Sequence, residues 1–449
     1  MNHRLWGLTI NHRDHLVLDG CDLVDLARTY GTPLHVVDEG AVRRCFRTFL
    51  NAFRHSSSDA RVFYSYKTNC VPAVLEVLHD EGCGAEVVSP FELWLAMRLH
   101  VPPSQIVYNG AGKSLGDLTT AIERGVGLIN VDSVSELHTL SSAAEALNRK
   151  VNVGLRIAPG VGWAAHFGLQ PDGDRIAALV NEVRESGLLN LCCLHAHVGT
   201  GIRDTAPYKA LIKVLVSLTH KLKKTSGLEI EQFDLGGGFG LPTVKTLTLR
   251  ELANYKIFNR PPREPDVDDC PSVETFGQVI TASLRECCAR HGLKEPSLLV
   301  EPGRALTSQA QILLLTVKGI KRERSGVTYA ITDGGMQHIA FPLSYEYHAC
   351  LLANRAGARP TGRCFVTGPL CSPEDILYRN WKLPELKEGD LLAVMDAGAY
   401  FTSFANNFSF PRPAVVMVSH GAPALVRQRE TFEHMAALDS SHVSPPQDH

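Results

Sequence analysis

From Val62 onward the chain alternates short runs of unbroken hydrophobicity with longer stretches whose apolar residues return at helical spacing. The runs are VFYSY, GAEVVS, QIVYNG, GLINVDS, VNVGLRI, LCCLHAHVG, FDLGGG and SLLVEPG, and PFELWLAMRL and GDLTTAIERG typify the stretches between them. Continuous rather than alternating hydrophobicity is what a parallel strand covered on both faces requires. Eight such units predict an α/β protein built on a (β/α)8 TIM barrel, which takes about 250 residues and here ends near Gly303. An open doubly wound sheet is the other layout this pattern allows. The polar residues favour the barrel. Lys67, Glu86, Asn109, Asp132, Arg156, His197, Asp234 and Glu301 each stand at or near the C-terminal end of a different run, and in a barrel those ends converge on one mouth.

After Arg304 the texture changes to β-rich runs with glycine-rich turns, among them VTYAITDGG, GRCFVTGPL, DLLAVMDAG and AVVMVSHGA, which predicts a C-terminal, mainly β domain. The expected division is residues 1–35 as an N-terminal segment pairing with the β domain, 36–305 as the barrel, 306–430 as the β domain and 431–449 as a flexible tail.

With 44% hydrophobic residues in 449, the chain can bury a large core, and its net charge of −2 gives no basic field for nucleic acid or an anionic membrane. No segment approaches the roughly 20 apolar residues of a membrane span. MNHRLWGLTINHRDH lacks the apolar stretch of a signal peptide, so a soluble, cytoplasmic protein is expected. Twelve cysteines without a C-x-x-C or zinc-like grouping read as reduced thiols.

Candidate chemistry gathers at the strand ends. VFYSYKTN delivers Lys67 to the end of the first barrel strand; such a lysine is a plain strand-end cation, a point charge for phosphate, or a nucleophilic amine that forms a Schiff base. DLGGGFG is either a tight turn or an anion nest, with phosphate the better ligand because its spacing is not that of the dinucleotide fingerprint. VEPGR is either a salt-bridged turn or a cofactor clamp in which Glu301 meets a pyridine nitrogen and Arg304 binds phosphate or a substrate carboxylate. HAHVGTG sets His195 and His197 at i and i+2 on one strand face. A metal site there needs ligands from other strand ends, which offer Lys67, Arg156 and glycines instead, so no metal is expected. A histidine stacked on a flat ring, with Gly199 and Thr200 near a phosphate, fits better. GPLCSPED holds Cys371 in a turn, as a structural thiol or an exposed proton donor. MDAGAY ends at Tyr400, whose hydroxyl can reach a phosphate. NGAGKS imitates a P-loop, but Val107 stands where its first glycine is required.

Taken in order, YSYKTN, AEVVSPFEL, HAHVGTG, DLGGGFG, VEPGR, GPLCSPED and DAGAY resemble the motifs of the fold-type III pyridoxal-phosphate decarboxylases, the group of diaminopimelate decarboxylase and eukaryotic-type ornithine decarboxylase. The resemblance runs from about Gly31 to about Val426. It implies the alanine racemase-like architecture of barrel plus β domain, pyridoxal 5′-phosphate as cofactor, and a homodimer with shared active sites. It implies Lys67 as the Schiff-base lysine, His197 stacked on the ring, Glu301 at the ring nitrogen, and Gly236, Gly237, Gly238, Arg304 and Tyr400 around the phosphate. Glu86, Arg156, Thr200 and Gly303 complete the implied cofactor shell. Cys371, reaching in from the partner subunit, is implied to protonate the carbanion left by departing carbon dioxide. A carboxylate at the ring nitrogen makes the pyridine a strong electron sink; racemases of this fold class carry an arginine there, so Glu301 favours decarboxylation over racemisation.

The likeness loosens at the substrate end, where the implied set is Arg304, Phe341, Tyr345, Ser372 and Asp375. In diaminopimelate decarboxylases the segment resembling FPLSY begins with an arginine that grips substrate carboxylate, where this chain has Phe341. The acid that usually follows the cysteine is Ser372 here, and Ala165-His166 replaces the usual Ser-Lys pair. Losing an arginine and an acid removes the partners of a charged distal end. The expected substrate is therefore a modified or conjugated amino acid of a specialised, siderophore-type pathway, free or carrier-bound. Meso-diaminopimelate of lysine biosynthesis is the alternative, followed by an amino-acid racemase or a non-catalytic homologue.

Overall fold

The computed structural model describes residues 2–54, 59–160, 166–184 and 187–439, the side chains of 183–184 and 340–343 excepted. The eight hydrophobic runs form eight parallel strands: β1 (Ala60–Ser65), β2 (Gly84–Val87), β3 (Ile106–Tyr108), β4 (Leu128–Val131), β5 (Val151–Arg156), β6 (Leu189–His195), β7 (Gln232–Asp234) and β8 (Ser297–Val300). Each pairs with the next, and β8 pairs with β1 through Leu298 opposite Ala60 and Val300 opposite Val62, which closes the barrel. The TIM barrel predicted from the pattern is present.

Local signals turn the chain back after each strand. Ser89, Ser114 and Ser133 accept hydrogen bonds from backbone N–H groups three residues on, starting the helices Pro90–Arg98, Leu115–Arg124 and Val134–Leu147. Gly125 and Asn148 stop two of them in the left-handed conformation. Inside the barrel, Phe63, Val107, Leu128, Cys192, Cys193 and Leu299 form an apolar plug, which leaves the polar strand ends at the mouth. Outside it, Phe239 packs edge-on to Phe49 and stacks on Tyr208, whose hydroxyl donates to Gly237 O at 2.8 Å. The glycine turn is thus pinned from behind by the aromatic core.

The second sheet has nine strands around the long strand Gln311–Arg322. Leu34–Asp38 pairs antiparallel to it and parallel to Ala414–Ser419, so the chain passes into the barrel at the helix Glu39–Arg54 rather than at residue 36. A small three-stranded sheet within Thr9–Asp22 precedes this crossing, and Trp6 Nε1 donates to the buried Asp396 at 2.9 Å. That bond and the Leu16 N–H donating to Ala353 O at 2.8 Å fasten the N-terminal segment to the β domain. The Pro-rich end of the tail, 440–449, lies outside the described residues.

Candidate active site

A single helical turn, Tyr66–Thr68, follows β1 and carries Lys67 into the mouth. Its Nζ donates to Glu86 Oε2 at 3.0 Å. Glu86 ends β2, is fully buried, and also accepts from Ser65 Oγ at 2.5 Å and Asn109 Nδ2 at 3.0 Å. That Asn109 amide donates at 2.6 Å to Glu301 Oε1, and Asn109 Oδ1 accepts from Asn130 Nδ2 at 2.7 Å. Asn130 reaches on to Asp234 Oδ2 at 3.2 Å. One hydrogen-bonded chain therefore joins the ends of six strands beneath the mouth, and it begins on the amine.

Its charges are set by burial and by each other. Burial works to lower the Lys67 pKa, but Glu86, Tyr400 and Glu301 outweigh it and hold it above the ordinary lysine value. Burial, Glu301 and the remaining acids push Asp234 well above the usual carboxylate range. Glu301 lies below that range in spite of its burial, because His195, Asp234 and Lys67 stabilise its anion. Burial and then Lys67 push His197 down to about 3, so it is a neutral imidazole. Its Nδ1 accepts from Gly237 N–H at 3.2 Å, which places the proton on Nε2.

His195 and His197 occupy different places, contrary to the expectation of one shared strand face. The strand ends at His195, whose Nε2 lies 3.7 Å from Glu301 Oε2 in the interior; His197 lies beyond the strand at the glycine turn. The glycines are demanded by contact: a Cβ on Gly237 would lie 2.2 Å from Glu301 O, and one on Gly238 2.1 Å from Gly199 O. The Gly236 and Gly237 N–H groups already donate to Asp234 and His197, so the turn is not the fully open nest that its spacing suggests. A Cβ on Gly303 would meet Thr68 Oγ1 at 2.0 Å, which seats the turn after β8 against Lys67's own turn.

Arg304 is buried and held by two contacts with Glu346, at 2.9 and 2.8 Å. It also donates to Thr200 at 3.4 Å and lies 5.4 Å from the Tyr400 ring centre. Tyr400 adopts φ +68° and donates its N–H to Thr68 O. Thr200, Arg304 and Tyr400 thus form one polar rim beside Gly303. Arg156 sits apart, paired with Asp132 at 3.3 Å and 4.3 Å over the Phe167 ring.

The substrate-side residues divide. Asp375, expected to face substrate, is 2% exposed, and its two oxygens accept from Met336 and Leu370 N–H, both at 2.7 Å. It builds the turn that displays Cys371, which is exposed. Ser372 Oγ caps the Glu374 N–H at 3.3 Å within that turn. Tyr345 is half-buried next to Glu346. The Phe341 side chain and Ala165 lie outside the described residues. Two partners had no role in the sequence: Asn130, whose only signal was a polar residue inside the run GLINVDS, and Glu346, 42 residues beyond the arginine it holds.

A floor acid, a neutral ring, a glycine turn with no room for side chains, and an amine at a strand end fit a flat, phosphorylated pyridine cofactor. Comparison with known proteins agrees. The family described as "Pyridoxal-dependent decarboxylase, pyridoxal binding domain" matches residues 39–308. The diaminopimelate decarboxylase of Methanothermobacter thermautotrophicus is 34% identical over 95% of this chain and 96% of its own. That of Bacillus subtilis is 32% identical over 96% of both. The crystal structure of diaminopimelate decarboxylase from M. jannaschii matches with a TM-score of 0.85 and 29% identity, covering 98% of each chain.

Proposed function

From the premise that this chain belongs to the family of pyridoxal-dependent decarboxylases, with pyridoxal phosphate as its cofactor, we propose that it removes one carboxylate from diaminopimelate. The observation that carries the substrate is similarity to diaminopimelate decarboxylases along nearly the whole of both chains. This reverses the order of substrates that Phe341 and Ser372 suggested.

When bound, the cofactor supplies an electron sink for the pair released as carbon dioxide leaves. The chain's own groups surround that chemistry. Lys67 holds the cofactor through its amine, with Glu86 fixing the direction of Nζ. Glu301 would pair with the ring nitrogen. His197, being neutral, offers a ring face without adding a positive charge. Thr200, Gly238, Arg304 and Tyr400 take the phosphate, and Glu346 keeps the guanidinium in place. Cys371 is exposed and would supply a proton to the site of a second copy in a homodimer.

A second reading has its own observation. Phe341 and Ser372 stand where partners of a charged distal end are expected, which favours an amino acid whose far end is conjugated, free or on a carrier. Initial-rate assays with meso-diaminopimelate and with distally acylated amino acids separate the two. Carbon dioxide and lysine from diaminopimelate are the expected products. Turnover of the acylated compounds alone would overturn the first reading and establish the second.

A further inference from the structure

We infer that Asp234 and Glu301 share a single proton beneath the cofactor, making Asp234 the positioning residue that orients Glu301. This rests on the decarboxylase reading for the role of Glu301, but not for the shared proton itself. His195, Asp234 and Glu301 each bring a ligand-type atom within 4.8 Å of the others, and the three residues are 2%, 0% and 5% exposed. Two carboxylates that close, away from water, cannot both be ionised.

The surroundings fix where the proton resides. Glu301 Oε1 accepts from Asn109, Asp234 Oδ2 from Asn130, and Asp234 Oδ1 from the Gly236 N–H. His195 and Lys67 favour the anion on Glu301, whereas burial, Glu301 and Glu86 disfavour one on Asp234, although His195 lies within 4.8 Å of both acids. Asp234 is therefore the acid and donates toward Glu301. The pair carries one negative charge, which matches one protonated ring nitrogen. A divalent cation is a poor occupant of the same triad, since the amide N–H donors already engage an oxygen of each carboxylate.

Infrared spectroscopy of the cofactor-free protein tests this without any turnover. Glu92 and Asp396 are buried acids raised toward neutrality, to about 7 and about 6, and the half-buried Asp333 is raised as well; the spectrum is taken near pH 9, where Glu92 and Asp396 are ionised, and the band must persist in Asp333→Asn. One protonated-carboxyl C=O band is expected. It should shift to lower frequency with 13C-carboxyl aspartate, stay in place with 13C-carboxyl glutamate, and vanish in Asp234→Asn. The isotope experiment needs no variant to fold. Absence of the band, or its movement with labelled glutamate, would overturn the assignment of the proton. Failure to decarboxylate any amino acid while the aspartate band is present would instead refute only the decarboxylase reading.

Discussion

Lys67, after β1, and Lys113, in the loop after β3, each face one buried glutamate: Lys67 Nζ lies 3.0 Å from Glu86 and Lys113 Nζ 2.6 Å from Glu136. Lys113 also donates to Gly110 O at 2.6 Å and Asn130 O at 2.9 Å, which commits all three of its N–H bonds, and its side chain is 2% exposed. The Lys67 side chain is 45% exposed and, among the described residues, its amine is bonded to Glu86 alone. Their pKa values move in opposite directions. For Lys113 burial outweighs Glu136 and lowers it; for Lys67 the negative groups around the mouth outweigh burial and raise it. A lysine beside a carboxylate is therefore not a site in itself. Unspent donors facing the mouth leave Lys67 able to engage a further group, and a fully spent set makes Lys113 a brace for its loop.

The two regions should break differently. Lys67→Ala is expected to lower decarboxylation on the order of 10³-fold or more. It should cost only about 1–2 kcal/mol of stability, because Ser65 and Asn109 still donate to Glu86. Lys113→Met is expected to cost about 3–5 kcal/mol in denaturant unfolding, since it removes the only cation paired, among the described residues, with buried Glu136, which keeps backbone N–H donors alone, and the bonds to Gly110 O and Asn130 O. Equal stability losses in the two variants would erase the distinction.

Asp375→Ala extends the comparison to the β domain. It leaves the Met336 and Leu370 N–H groups without their acceptor, a loss of about 2 kcal/mol, and proteolysis at the Cys371 turn should quicken. Unchanged cleavage would show that the turn stands without Asp375.

Titration separates the lysines again. His197 is held at about 3 when folded, against 6.5 ordinarily, so the folded form binds fewer protons through that interval. Its contribution is complete above pH 6.5 and is lost as pH falls toward 3, by at most about 1.4 kcal/mol per pH unit. Because Lys67 is part of the cause, this acid-induced loss should be shallower in Lys67→Met and unaltered by the charge at Lys113. Unfolding midpoints between pH 5 and 3 give the slopes. The smallest effect is expected beside Lys113: Ser114→Ala removes the cap and its box with Asp117 at about 1 kcal/mol and leaves catalysis unchanged, as befits a helix start that only imitates a P-loop.

Much of this was legible in the sequence for physical reasons. Parallel strands must be apolar on both faces, so eight unbroken runs gave the barrel, and the polar residues at their ends put Lys67, Glu86, His197 and Glu301 at its mouth. What escaped depends on tertiary pairing. LHVVD is as apolar as a barrel strand, and only its partner Gln311–Arg322 assigns it to the second sheet. Asp375 carries a polar letter in an exposed-looking turn, yet its oxygens turn inward to two N–H groups. Arg304 reads as paired within its own turn or as a clamp for an anion, and only the fold sets Glu346 against it.

Borohydride reduction of the protein loaded with pyridoxal phosphate, followed by peptide mapping, tests the assignment of the mouth most directly. An absorbance band lost on reduction, with the label on Lys67 alone, is the expected result. Label on Lys113, or no stable label on any lysine, would contradict it.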